Sequence, residues 1–139
     1  MPPKRSNTLT EAELRLMRLL WARGESAVSE LVQALPEETP LAYTSVLTTI
    51  RILEKKGYVR HRQDGRAFLY SPCVAEQEAR ESEIRHVLQR FFANSREQLV
   101  LSVLGDADAT PEELERLKKA IAEAAPDEAE PAADAPEEA

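Results

Sequence analysis

Apolar residues recur along this chain first at helical spacing, then briefly at strand spacing, then at helical spacing again. Leu14, Met17 and Trp21 fall at i, i+3 and i+7 with Leu20 beside them, which predicts a first helix with one apolar face. Thr10 and Glu13 form a capping box at its start, and Gly24 stops it. Val28, Leu31, Val32 and Leu35 predict a short second helix over 28–35, with Ser26 as N-cap and the Pro36–Pro40 segment as its end. A third helix runs from Ala42 or Tyr43 to Lys56, where two lysines and Gly57 terminate it. Its core stripe is Val46, Leu47, Ile50, Leu53 and Ile52. Its other face reads Tyr43, Thr44, Ser45, Thr48, Thr49 and Arg51. Threonine and serine are poor helix formers, and a face that only needed solvation would carry Glu, Lys and Gln instead.

The spacing then shortens to two. Tyr58–Arg62 reads as a strand, Gln63-Asp64-Gly65-Arg66 as a hairpin turn and Ala67–Ser71 as the returning strand, closed by Pro72. A fourth helix over 74–93 is charged at first and apolar later, at Ile84, Val87, Leu88, Phe91 and Phe92. A fifth, Arg96–Leu104, is apolar nearly all round at Leu99, Val100, Leu101, Val103 and Leu104. A sixth starts at Thr110-Pro111 and carries Leu114, Leu117 and Ile121 on one face. The fold class expected is mainly α with a small β-hairpin wing. Residues 9–72 form a winged helix-turn-helix and residues 73–125 a helical dimerisation region. Residues 1–8 are expected to be flexible. Residues 126–139, only Ala, Pro, Asp and Glu, cannot bury enough apolar surface to fold.

Charge sharpens this division. The chain carries a net −7, but residues 1–72 are net +3, residues 73–125 net −4 and the last fourteen net −6. Arg51, Lys55, Lys56, Arg60, Arg62 and Arg66 meet only Glu54 and Asp64 within residues 51–66. The single cysteine, Cys73, excludes an intrachain disulfide and reads as a small packed residue rather than a sensor. His61 and His86 lie too far apart for a metal site, with no third ligand nearby. The carboxylates Glu76, Glu78, Glu81 and Glu83 form a solvated face, without the nucleophile or glycine-rich loop that catalysis needs. No enzyme activity, cofactor or metal is expected. The apolar run around Leu99–Gly105 is far short of a membrane span, and no apolar stretch follows the basic N-terminus as in a signal peptide. A cytoplasmic protein without membrane insertion is expected.

Helix, helix, turn, helix and basic hairpin, in that order, point to double-stranded DNA. Short Thr and Ser side chains let a helix backbone approach base edges. Arg51, Arg60, Arg62 and Arg66 are placed to neutralise phosphates. The all-round apolar fifth helix needs burial on several sides, which a two-fold homodimer would supply. The alternative is a winged-helix protein–protein adaptor that does not bind DNA.

Three stretches carry a family resemblance: Leu9–Leu14 with Leu20-Trp21; Leu41–Ile50 with Leu53–Val59; and Asp64–Phe68 with Tyr70-Ser71-Pro72. Together they resemble the penicillinase-repressor (BlaI/MecI-type) family over residues 8–124. The resemblance implies a homodimeric winged-helix repressor on dyad-symmetric operators, often with TACA/TGTA half-sites. It implies that Ala42, Tyr43, Thr44, Ser45 and Thr48 face the groove and that Gly65 and Arg66 are the wing tip. Antibiotic-responsive members are cut at an Asn-Phe bond in the fifth helix. The corresponding bond here is Ser102–Val103, the candidate cleavage point for a membrane sensor metalloprotease. Copper-responsive relatives end in a Cys-rich motif, which this chain lacks.

Overall fold

Thr10 fixes where the first helix begins. Its hydroxyl accepts the Glu13 amide at 3.1 Å while the Glu13 carboxylate accepts the Thr10 amide at 2.9 Å, closing the capping box. The computed structural model describes residues 8–124; the segment 1–7 and the expected tail 126–139 lie outside the described residues. The elements are α1 (Glu11–Arg23), β1 (Ser26–Ala27), α2 (Val28–Ala34), α3 (Tyr43–Lys56), β2 (Val59–Asp64), β3 (Ala67–Pro72), α4 (Glu76–Phe91), α5 (Arg96–Leu104) and α6 (Pro111–Ala124). Helices and a small wing are therefore arranged as the sequence predicts. The sheet has three strands in the order β1-β3-β2, all antiparallel.

The third strand is a correction. Ser26, expected to cap α2, instead pairs with Tyr70 of β3, and its hydroxyl donates to the Gly24 carbonyl at 3.0 Å. Ala27 takes the N-cap position, where the Glu30 carboxylate accepts its amide at 2.8 Å. A two-residue strand has no alternation to announce it.

The core lies between α1, α2, α3 and the sheet. Leu16, Met17, Leu20, Leu31, Val46, Ile50 and Leu53 are completely buried, with Tyr58 and Tyr70 closing the sheet side. Three expected positions shift. On α1 the buried line runs through Leu16, Met17 and Leu20, while Leu14 and Trp21 are half-buried. On α3, Ile52 is not in the core but exposed. Glu13, also buried, is satisfied by Lys56 at 2.8 Å, which ties the end of α3 to the start of α1. Gly57 then ends α3 in the left-handed conformation, φ 91°, ψ 14°.

The described residues divide into two compact units that meet between Asn94 and Ser95. The first contains the winged helix and α4. Val74 and Ala79 join its core, the Trp21 indole N–H donates to the Val74 carbonyl at 2.8 Å, and the Leu9 amide donates to Glu83 at 2.7 Å. At the division, Ala93 and Asn94 both have positive φ. In the second unit, Ser95 caps α5 by accepting the Gln98 amide and Thr110 caps α6 by accepting the Glu113 amide. Neither helix contains a buried residue.

Candidate nucleic-acid interface

The polar face of α3 is open. Ala42, Tyr43, Thr44, Ser45, Thr48 and Arg51 are all exposed. Among the described residues the hydroxyls of Thr44, Ser45 and Thr48 make no hydrogen bond, whereas that of Thr49 donates to the Ser45 carbonyl at 2.9 Å. Thr49 is thereby committed to its own helix and leaves the site. Ala42, at the N-cap, has no side-chain acceptor to offer, so the first amides of α3 are free for an outside acceptor.

The wing is braced against this helix on one face and held back on the other. Side chains alternate along a strand, so His61 and Arg62 leave β2 on opposite faces. His61 reaches Glu54 of α3, Nδ1 to Oε2 2.6 Å, and its ring packs at a tilt against Phe68 and Tyr70, centroids 4.7 and 5.4 Å away. Burial raises the Tyr70 pKa above its ordinary value, with the charge of nearby Arg51 working against the rise. A cleft of about 400 Å³ results, with Arg51 and Tyr43 on the helix side and Arg66 and Phe68 on the wing side. Gly65, at φ 62°, makes the two-residue turn that presents Arg66.

The expected phosphate contacts therefore separate. Arg51 and Arg66 line one cleft. Arg60 and Arg62 lie on the other face of the hairpin by strand alternation. Arg62 is engaged: Nε and Nη2 donate to the two Glu25 carboxylate oxygens at 2.8 and 2.7 Å. That pair lowers the Glu25 pKa and raises that of Arg62, chiefly through the hydrogen bonds. Sequence reasoning missed Glu25, 37 residues from its partner, and missed the exposure of Ile52 on α3. No short-range pattern signals Glu25, whereas the i+4 spacing from Thr48 does put Ile52 on the polar face.

The residues expected at a dimer interface differ in exposure. Ile84, Phe91, Val100, Leu101 and Val103 are exposed, as is the candidate cleavage residue Ser102. Val87, Leu99, Leu104, Leu114 and Leu117 are half-buried, and Leu88 is already buried within the single chain. Leu104, Leu114, Lys118 and Ile121 line an apolar cleft of about 390 Å³ in the second unit. Cys73 is exposed, its thiol 3.4 Å from the Gly57 carbonyl. No helix among the described residues is long and apolar enough to cross a membrane.

A family model described as "Penicillinase repressor" matches residues 9–123. The chain belongs to the penicillinase repressor family. This is a family of DNA-binding transcriptional repressors rather than of enzymes. Its relatives include the "Penicillinase repressor" of Bacillus licheniformis, 26% identical over 120 residues that cover 86% of this chain and 94% of the relative. They also include the "Transcriptional regulator BlaI" of Mycobacterium tuberculosis (strain CDC 1551 / Oshkosh), 37% identical over 71 residues, 50% of this chain and 51% of that one. Among solved structures, the DNA-binding domain of the repressor BlaI is similar with 27% identity and a TM-score of 0.48, over 54% of this chain and 92% of that one.

Proposed function

We propose that this penicillinase repressor family protein represses transcription by binding a dyad-symmetric operator as a homodimer. The observation that carries the reading is the open α3 face, with three uncommitted hydroxyls, beside a cleft that holds Arg51 and Arg66. In this reading α3 lies in the major groove and the cleft takes the DNA backbone. Thr44, Ser45 and Thr48 contact base edges, and Arg51 and Arg66 contact phosphate. Arg60 adds to the field, and Arg62 reaches phosphate only by leaving Glu25. Residues 9–72 read the DNA and residues 73–125 assemble the dimer. The exposure of the α5 and α6 side chains supports the second half, because neither helix contains a buried residue within one chain and a two-fold interface would cover them. Cutting at Ser102–Val103 by a membrane sensor metalloprotease would divide α5 and release the operator by removing the dimer. Such a repressor works in the cytoplasm.

The test is selection of duplexes from a random-sequence pool by the full chain, followed by anisotropy titration of the enriched sequence. A palindromic sequence with two half-sites, bound far more tightly than a scrambled duplex, is expected. No enrichment above the starting pool would overturn the reading in favour of the protein–protein adaptor.

A further inference from the structure

Ile52 has no place in the packing of the fold. Val46, Ile50 and Leu53 fill the core from α3 and Leu47 packs against it, yet Ile52 stays 41% exposed. A β-branched residue is a weaker helix former than Lys, Gln or Glu, so an exposed position inside a helix gains nothing from it. Single exposed apolar side chains are ordinary on protein surfaces. What distinguishes Ile52 is its neighbours.

Ile52 follows Thr48 by four residues and Ser45 by seven, so it extends the same helix face. With a rise of 1.5 Å per residue it lies about 6 Å beyond Thr48 along the axis, roughly two base-pair steps of duplex. Arg51 and Lys55, both exposed, neighbour it one residue before and three residues after. An aliphatic side chain cannot bond to the donors and acceptors of a base edge. The apolar feature that a major groove does offer is the 5-methyl group of thymine.

We propose that Ile52 is a specificity-determining residue that packs on a thymine methyl group about two base-pair steps from the pair contacted by Thr48. The inference rests on the reading that α3 enters the major groove. It adds a base position read by shape and burial alone, beyond the hydroxyl-bearing residues.

Thymine-to-uracil exchange tests it, because it removes the methyl group and leaves every hydrogen-bonding group in place. The duplex enriched by the full chain is remade with single uracils at each thymine and titrated with wild type, Ile52→Ala and Ile52→Val. Wild type should lose about fourfold in affinity at one thymine per half-site, the value of one buried methyl group. Ile52→Ala should bind the thymine and uracil forms of that position equally, and Ile52→Val should keep most of the difference. Melting of Ile52→Ala should match wild type, since the side chain is outside the core. A uracil profile that is the same in wild type and Ile52→Ala overturns the inference while leaving groove reading intact. Equal weakening of Ile52→Ala on every sequence also overturns it, and places Ile52 against sugar or phosphate. Failure of the pool to enrich any sequence overturns groove reading itself.

Discussion

Glu25 and Arg62 hold each other by two hydrogen bonds, and this grip governs how the wing responds to salt and acid. An arginine that leaves a carboxylate for a phosphate releases a counterion from DNA, but the abandoned carboxylate takes one up. Arg62 should therefore add little to the salt dependence of binding. Glu25→Gln should steepen the slope of log affinity against log salt by about one unit, because it leaves Arg62 uncompensated. An unchanged slope would mean that Arg62 never reaches phosphate. The pair makes the folded-state pKa of the Glu25 carboxyl lower than in the unfolded chain. Its contribution to folding is therefore complete above the unfolded value and is lost as pH falls through the lower folded one. Neutral pH leaves the grip closed. Among the described residues Arg66 has no such partner: Arg66→Ala should weaken specific and nonspecific duplexes alike and reduce the slope by about one unit. Thr48→Ala should cost about 1–3 kcal/mol at one half-site base pair and leave nonspecific binding almost untouched. Titrations across a salt series on enriched and scrambled duplexes separate these outcomes. The arginines themselves were legible in the sequence. Their division was not, because the strand face that each side chain takes and the distant Glu25 are products of folding.

At the level of elements, helices were legible where an apolar stripe had one meaning. The bounds of α3 follow directly from its stripe, its lysines and Gly57. On α1 the apolar residues Leu14, Leu16, Met17, Leu19, Leu20 and Trp21 cover most of the circumference, and packing against α3 and the sheet chooses Leu16, Met17 and Leu20. The apolar character of Ile52 assigns it to the core stripe of α3, whereas helical geometry turns it toward Thr48. β1 was invisible because two residues carry no pattern, and its pairing through Ser26 and Tyr70 is tertiary. The end of α3 matters for the interface because Lys56 and Glu54 bind α1 and the wing from its last turn. Gly57→Ala would force a side chain into the left-handed region at φ 91°. A loss of about 1–2 kcal/mol in folding stability is expected, read by urea denaturation.

The whole molecule pairs a first unit that owns a core with a second whose helices contain no fully buried residue. If a second copy completes the latter, one charge in that surface must be desolvated twice. Leu101→Glu should then sediment as a monomer at micromolar concentration with its winged helix folded. It should lose about a hundredfold or more in operator affinity, because the second half-site no longer benefits from linkage. A dimer with full affinity would place the interface elsewhere. The molecule also supplies the means of following its halves separately. Trp21 is the chain's single tryptophan, half-buried on α1 with its indole bonded to the Val74 carbonyl. Its emission is thus an unlabelled beacon for the first unit alone, while far-ultraviolet ellipticity sums the helices of both. In one denaturation, divergence of the two signals measures how far one half of the repressor can come apart before the other responds.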